Sequence, residues 1–303
     1  FKFRLKFPWQ YDSFDELRRL LLGCAHIGYN TTDYFFMRNE LPKIILTHKV
    51  QVLEIVGDLT AGLKHNMIHK GQILSSMGYT DQEIFAGELV ATIIYVVFLI
   101  RFQKNLEEIR KKKLSEEELE KIIEESIILT LYIIGNHDGW QKETGHIPGI
   151  TFRQTTYIVL QSCISKFLAE KGLSCPKLGE IILRRVVELP EYNPVYKFNN
   201  GLATTLLHPH KGRTKTESQR AQEALEFAET QLTDLFNFHV SIVAESWESE
   251  VGQRVAIQGG AMTPFTLYEN NILKKVDFGA ILSTVRSNKG RIFMSEHRFF
   301  NHT

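Results

Sequence analysis

Seven residues of the metal-ligand or acid–base type follow apolar runs in this 303-residue sequence. They fall in four short motifs, which are Cys24-Ala25-His26, Gly57-Asp58, Gly135-Asn136-His137-Asp138 and His208. A bridging carboxylate with several imidazole or amide ligands is what a two-metal centre needs in order to hydrolyse a phosphoester. The motifs therefore predict a metal centre, provided that the fold brings them together.

Five apolar runs predict the strands that would position these residues, because each run stops just before polar side chains. They are Leu17–Leu22, Val50–Val56, Ile127–Ile134, Leu202–Leu207 and Phe238–Ala244. The third run is almost entirely β-branched or aromatic, which predicts a strand buried on both faces. Strand ends at one edge of a sheet would let the motifs converge.

Helices are predicted between the strands, as a layered α/β fold requires. Thr80 with Glu83 has the spacing of a capping box for a helix that runs to about Glu108, and Ser115 with Glu118 has it for a second helix that ends near Ser126. The two helices predict an insertion over residues 79–126 within a single domain of residues 1–303. Further helices are predicted over Arg153–Glu170 and Glu217–Leu235, and strands predominate after residue 250.

The motif order resembles that of the calcineurin-like metallophosphoesterases, in which Asp-x-His, Gly-Asp, Gly-Asn-His-Asp or Glu, a lone His and Gly-His-x-His each follow a strand. Ala25-His26-Ile27-Gly28-Tyr29 is similar to the first motif of the double-strand-break repair nucleases in that superfamily. The resemblance implies a four-layer αββα sandwich carrying the helical insertion. It also implies a phosphodiesterase or nuclease that cleaves phosphoester bonds with a metal-bound hydroxide.

The resemblance implies a role for each matching residue. His26 would bind the first metal, Asp58 would bridge the two metals, and Asn136 and His208 would bind the second metal. His137 would be a catalytic imidazole that binds no metal and instead assists the transition state or the leaving group. Asp138 would be a structural member of its turn.

The segment after His208 holds candidates for substrate binding. His208 and His210 compete for one ligand role, and His208 is favoured because it comes first after its strand. His210 and Arg213 are then expected to face a phosphoester substrate such as DNA or RNA. The alternative without a binding role is that the basic residues in this segment form a solvated loop.

Two motifs depart from the family pattern. Cys24 stands at the place of the first Asp, and a thiolate suits zinc better than manganese or magnesium. Ser246 and Glu248 in Glu245-Ser246-Trp247-Glu248 stand where two imidazoles are expected. On this alignment Glu248 would complete the first site, although an ordinary surface carboxylate explains it as well.

These departures leave two functions open. One is a metal-dependent phosphoesterase with one or two divalent ions, Mn²⁺ or Zn²⁺. The other is a degenerate family member that has lost its metals and serves as a binding scaffold for a protein or nucleic acid. Metal content discriminates between them.

Net charge, cysteine content and the longest apolar run indicate the protein's cellular environment and partners. The net charge of +1 indicates no general polyanion-binding surface, and three widely spaced cysteines indicate a reducing, cytoplasmic environment rather than a disulfide framework. The apolar run Val90–Ile100 covers eleven residues, whereas a spanning helix needs about 20, so a buried helix and no membrane partner are expected. The apolar Ile93–Phe98 segment of the insertion predicts a cap or a homodimer surface.

Overall fold

The computed structural model describes residues 16–63, 71–74, 77–111, 114–139, 141–142, 145–190, 194–198, 201–208, 235–239, 243–249, 252–263, 278–288 and 291–301. The strands in these ranges are β1 (Glu16–Gly23), β2 (Val52–Val56), β3 (Leu129–Ile133), β4 (Val186–Glu188), β5 (Val195–Lys197), β6 (Ala203–Leu207), β7 (Leu235–His239), β8 (Val243–Ser249), β9 (Gly252–Gly259), β10 (Gly279–Asn288) and β11 (Arg291–Asn301). The helices are α1 (Leu41–Thr47), α2 (Tyr79–Lys111), α3 (Glu116–Ser126), α4 (Asn136–Gly139), α5 (Ile150–Glu170) and α6 (Leu178–Arg185), and a π-helical turn, Phe36–Glu40, precedes α1.

The strands form two halves of one folded sheet. The first half has the order β4-β3-β2-β1-β10-β11, and the second has the order β9-β7-β6-β5 with β8 paired to the free side of β9. The halves meet between β11 and β9 at a single pair, Ile292 with Gln253. Strands β1 to β4 are parallel, and so are β6, β7 and β9.

One hydrophobic core lies between the two halves. It takes alternate residues of β1 and β2, such as Leu17, Leu21 and Val52, together with Leu206 of β6 and Ile257 of β9. Side chains at alternate strand positions point to one face, so these residues mark the inner faces of a β-sandwich. Strand β3 is buried at all five positions, as predicted.

A second core lies between the first half of the sheet and the helices. Leu20, Leu53 and Tyr132 from the outer face of the sheet pack with side chains of α2 and α5 such as Phe98 and Phe152. This helix–sheet–sheet arrangement confirms the predicted α/β class and is consistent with a metallophosphoesterase sandwich. The helix predicted over Glu217–Leu235, which would form the other outer layer, falls almost wholly outside the described residues.

Helix α2 is more apolar than the sequence interpretation allowed. In the described part of the chain, one helix, Tyr79–Glu107 within α2, is long and apolar enough to cross a membrane, and 56% of its apolar window is buried inside the protein. Ile93, Ile94, Val97 and Phe98 are at most 1% exposed. These four side chains belong to the protein's own core, and the homodimer through the insertion stays a prediction.

Two local predictions about the insertion have different outcomes. The capping box is confirmed for α3, where the Ser115 hydroxyl accepts the Glu118 N–H and the Glu118 carboxylate accepts the Ser115 N–H. It is wrong for α2, which begins at Tyr79, one residue before the predicted cap. The Glu83 carboxylate instead accepts a hydrogen bond from the backbone N–H of Gly149.

Candidate metal centre

The carboxyl ends of the parallel strands from both halves meet at one rim of the sandwich. In the first half, β1, β2 and β3 end just before Cys24, Asp58 and Asn136. In the second half, β6 ends just before His208. A parallel bridge between Gly23 and Ala261, which follows β9, joins the two edges. The fold thus brings together four of the predicted motifs.

Oδ2 of Asp58 is the point on which the side chains converge. Nε2 of His208 lies 3.0 Å from it, and Nε2 of His26 and of His137 lie 3.9 Å and 4.0 Å from it. The Cys24 thiol donates to the same oxygen at 3.5 Å. Oδ1 of Asp58 accepts the backbone N–H of His137 at 2.9 Å, which fixes the carboxylate in this orientation.

His208 and Asn136 form the second part of the cluster. Nδ1 of His208 lies 3.1 Å from the Val56 carbonyl oxygen, which only accepts, so Nδ1 carries a proton. Nε2 faces the amide oxygen of Asn136 at 2.8 Å as well as Asp58. Nε2 of His208 therefore points at two oxygen atoms, one from a carboxylate and one from an amide. A metal cation could occupy the place of the proton on Nε2 and bind all three groups.

His137 is oriented by the loop after β2. Its Nδ1 lies 3.0 Å from the carbonyl oxygen of Ala61, so Nδ1 is the donor in this contact. Nε2 is thereby turned toward Asp58, and the ring meets that of His26 edge-on with centroids 4.5 Å apart. The side chain is 17% exposed, which leaves it accessible from the rim.

Two glycines permit the close approach of the loops. A Cβ atom at Gly135 would lie 2.0 Å from the backbone nitrogen of Asp58, and one at Gly57 would lie 2.6 Å from the His208 ring. Both distances are far below van der Waals contact. The glycines that precede Asp58 and Asn136 are therefore required by packing around the cluster.

The backbone is unusual at the same place. In the described ranges the non-glycine residues with positive φ are Cys24, His26, Lys49 and Asp58, with φ of 39°, 45°, 51° and 45°. Such conformations cost roughly 1–3 kcal/mol for residues other than glycine and tend to cluster at functional sites. Three of the four lie in the candidate metal centre, which points to a function that offsets the strain.

Asp138 ties the loop after β3 to the loop after β2. Its buried carboxylate accepts the backbone N–H groups of Leu59, Thr60 and Gly135 at 3.1, 2.9 and 3.1 Å. It also accepts the hydroxyl of Thr60. This structural role agrees with the one implied by the resemblance.

Side chains in the first turn of α2 form hydrogen bonds with the loop after β2 and with the loop that precedes α5. The Gln82 side chain accepts the N–H of Gly62 at 2.9 Å and donates to the Gly62 carbonyl at 3.3 Å. Tyr79 donates to Glu83 at 3.0 Å, and Glu83 anchors Gly149 in the loop that precedes α5. The insertion thus braces the rim, a role that no sequence motif signalled.

A buried polar network links the two halves of the sheet below the cluster. Arg19 and Glu54 form an ion pair at 3.1 Å with fully buried side chains, and the Thr204 hydroxyl donates to Glu54 at 3.2 Å. Glu54 precedes Asp58 by four residues, and Thr204 precedes His208 by four. The Glu54–Thr204 contact therefore aligns β2 with β6 at a point that lies, in both chain segments, four residues before the Asp58–His208 contact.

The last predicted motif needs correction. Phe238–Ala244 is not one strand, because β7 ends at His239 and β8 begins at Val243. Glu248 lies inside β8, where it pairs with Gln253 near the start of β9. Gln253 is six residues from Gly259 at the rim end of β9, a separation of about 20 Å along a strand. This register does not support Glu248 as a ligand.

His239 is a further histidine at this rim that the sequence interpretation did not single out. Strand β7 is parallel to β6 and β9, and the register Leu207 with Phe238 places His239 level with His208 at the end of the neighbouring strand. The signal was the position itself, since a histidine directly after a short apolar run matches the other motifs. The predicted substrate residues His210 and Arg213 lie outside the described residues.

The electrostatics of the cluster are those of a carboxylate among imidazoles. Burial alone would raise the pKa of Asp58, but the charges of His208 and His137 outweigh burial and hold this pKa well below its ordinary value. Burial alone would lower the pKa of His208, but the Asp58 carboxylate outweighs it and raises this pKa. Burial and the nearby charge of Asp58 raise the pKa of Asp138 to about 6.

The donor set fits a divalent metal ion. One ligand atom each from Cys24, His26 and Asp58 lie within 4.8 Å of one another, a group that could hold an ion. Asn136 and His208 add an amide oxygen and an imidazole nitrogen on the other side of Asp58. Imidazole, thiolate and carboxylate are ligands that zinc accepts in tetrahedral sites.

The chain has distant structural neighbours. No family model and no curated protein matches it. It is similar to Vps29 from Entamoeba histolytica in complex with zinc, at 11% identity and a TM-score of 0.37, over 94% of this chain and 100% of that one. It is similar to TT1561 of Thermus thermophilus at 8% identity and a TM-score of 0.41, over 93% and 98%. It is also similar to a calcineurin-like phosphoesterase, YfkN from Bacillus subtilis, at 12% identity and a TM-score of 0.33, over 94% and 90%.

Proposed function

We propose that this protein is a metal-dependent phosphoesterase, of the phosphodiesterase or nuclease kind, whose centre is built on Asp58. The observation that carries the proposal is the convergence of His26, His137 and His208 on one carboxylate oxygen. Three loops from both halves of the sheet supply these residues. A structural role alone would not require three imidazoles and a thiol around one buried carboxylate.

In this proposal, His26, Asp58, Asn136 and His208 hold one or two divalent ions. The ions would neutralise phosphate oxygens and lower the pKa of bound water. The side chains contribute by fixing the position of the phosphoester relative to the rim. Strained backbone at Cys24, His26 and Asp58 keeps their ligand atoms in place before any substrate arrives.

His137 is proposed as the catalytic residue. Nδ1 donates to Ala61, so a second proton on Nε2 would make the ring cationic next to the Asp58 carboxylate. An imidazolium at the rim is suited to protonate the leaving oxygen of a phosphoester. General acid catalysis of this kind contributes about 10²- to 10⁴-fold to a rate.

The scaffold alternative has less support than the catalytic one. It was motivated by Ser246 and Glu248 at the place of two imidazoles, but both residues lie within β8 rather than at a rim-facing strand end. The residue at the end of the parallel strand β7 is His239. The register thus removes the basis for reading Ser246 and Glu248 as replacements of two imidazoles, and Cys24 remains as the departure in the first motif.

DNA or RNA is the proposed substrate class, with His210 and Arg213 as proposed contacts to the phosphate backbone. The test uses the full chain loaded with Mn²⁺ or Zn²⁺, assayed with bis-(p-nitrophenyl) phosphate and with single-stranded DNA. Hydrolysis of one or both is expected. His137→Ala should lower kcat by about 100-fold or more while leaving the bound metal unchanged.

His48→Ala is the matched control, because His48 lies just before β2, at the end of the sheet opposite the rim. This variant should keep wild-type kcat. Absence of hydrolysis by metal-loaded wild type would contradict the proposal, and so would a His137→Ala variant as active as wild type.

A further inference from the structure

The Cys24 thiol faces the Asp58 carboxylate at the centre of the rim cluster. Its Sγ atom lies 3.5 Å from Oδ2 of Asp58, on the oxygen that also faces His26 and His208. The residue is 6% exposed and follows β1 directly with a φ of 39°. A cysteine that only filled space in the core would not need a left-handed backbone that directs its sulfur to a carboxylate.

We propose that the Cys24 thiolate is a metal ligand and that it makes the centre select Zn²⁺ and other thiophilic divalent ions over Mn²⁺ and Mg²⁺. The inference deepens the proposed function, because it concerns the same site. The chemistry is that of ligand softness, since thiolate sulfur favours zinc and cobalt whereas oxygen ligands favour magnesium and manganese. His26 and Asp58 supply the nitrogen and oxygen that accompany sulfur in mixed zinc sites.

The binding step balances without an oxidant or a reductant. The S–H bond of Cys24 breaks, its proton passes to solvent, and a sulfur–metal bond forms while the oxidation state of sulfur stays unchanged. The metal takes the place of the proton that Cys24 now donates to Asp58. Zinc binding should therefore release protons.

The remaining cysteines provide matched controls. Cys163 lies in α5, and Cys175 lies between α5 and α6; both are partly exposed and remote from the rim motifs in the fold. Cys163→Ser removes a thiol without touching the cluster. Any sulfur signal that persists in this variant and disappears in Cys24→Ser can be assigned to the rim.

The first measurement is the absorption spectrum of the metal-free full chain titrated with Co²⁺. Coordination by a thiolate produces an intense near-ultraviolet sulfur-to-cobalt charge-transfer band, and we expect this band in wild type and in Cys163→Ser. It should be lost in Cys24→Ser and Cys24→Asp. If a Cys24 variant fails to fold, absence of the band from cobalt-loaded wild type still overturns the proposal.

The second measurement is the ratio of Zn²⁺ to Mn²⁺ affinity by competition calorimetry. Cys24→Asp should lower this ratio by about tenfold or more, because an oxygen ligand replaces sulfur. Cobalt binding without the charge-transfer band would overturn the inference, and so would an unchanged ratio in Cys24→Asp.

The outcomes separate this inference from the proposed function. A charge-transfer band that disappears in Cys24→Ser, in a protein that hydrolyses no phosphoester, would uphold the Cys24 ligand and overturn the phosphoesterase proposal. Hydrolysis with Mn²⁺ by a protein that shows no such band would do the reverse. Failure to bind any divalent ion would overturn both.

Discussion

Nε2 of His208 lies 3.0 Å from Oδ2 of Asp58, although the two residues follow strands in opposite halves of the sandwich. The contact depends on the stacking of the halves, on the two glycines that let the loops approach, and on the Glu54–Thr204 hydrogen bond below it. A candidate metal centre thus exists only because the whole sheet is folded back on itself.

Asp58 is predicted to be indispensable for metal binding. Asp58→Asn removes the one carboxylate on which the imidazoles converge, and we expect Zn²⁺ affinity to fall by at least about 10- to 100-fold in calorimetric titrations. Asp81→Asn is the control, since Asp81 is an exposed carboxylate in the first turn of α2. Wild-type affinity in Asp58→Asn would show that the metal binds elsewhere.

The stability of the metal-free protein is predicted to fall at high pH. Burial opposes a charge on His208, but the Asp58 carboxylate raises the pKa of His208 above the unfolded value of about 6.5. A raised histidine pKa stabilises the folded state below the unfolded pKa, and this stability is lost as pH rises through the folded pKa.

The melting temperature in the presence of a chelator should therefore decrease as the pH rises above about 6.5. His208→Gln should flatten that decrease, because glutamine does not titrate. A wild-type melting temperature that is constant or rises over this range would contradict the charged His208–Asp58 pair.

Removing one partner of the buried Arg19–Glu54 ion pair is predicted to destabilise the protein far more than replacing both partners with apolar residues. Arg19→Met leaves the Glu54 carboxylate buried without its partner and should destabilise the protein by about 3–5 kcal/mol in urea unfolding. The double variant Arg19→Met/Glu54→Leu should recover most of this loss, because no charge is then left uncompensated. Equal destabilisation of the single and double variants would mean that the charge is not the cause.

Gly135 is predicted to tolerate no side chain. Gly135→Ala would place a methyl group 2.0 Å from the backbone nitrogen of Asp58, so the loops must separate, and both stability and metal affinity should fall. Gly139→Ala in the same motif is the control, because a Cβ there has no neighbour within 4 Å. Its change in unfolding free energy should stay within about 0.5 kcal/mol, whereas similar effects of the two variants would argue against the close approach.

The sequence predicted the strands of the first half of the sheet well. Strands β1, β2 and β3 are rich in apolar residues and lead into Gly23, Gly57 and Gly135, so both their existence and their carboxyl ends can be predicted from residue type. The grouping of Cys24, His26, Asp58, Asn136 and His137 follows from those ends, and His208 joins them from the end of β6 in the second half. Convergence of polar residues at one sheet edge is a consequence of parallel topology.

The second half was harder to predict because short strands there follow one another closely. Phe238–Ala244 is mostly apolar, interrupted by His239 and Ser241 alone, so the end of β7, its connection and the start of β8 merge into one run. Leu235 was also assigned to the preceding helix, which hid the start of β7. His239 was lost for this reason, and Glu248 was placed at the rim in its stead.

The bracing of the rim by α2 could not be read from local sequence. Glu83 has the spacing of a helix cap, but its carboxylate is satisfied by Gly149, which is 66 residues away in the chain. Gln82 likewise satisfies both backbone groups of Gly62. Such long-range hydrogen bonds depend on tertiary packing, which overrides the local pattern.

The most direct test of the centre is a crystal of the full chain soaked in Zn²⁺, with anomalous differences recorded above and below the zinc edge. A peak is expected within about 2.0–2.2 Å of a carboxylate oxygen of Asp58 and in contact with His26, His208 or both. Zinc bound only at other sites, with His26, Asp58 and His208 left without a peak between them, would contradict the account.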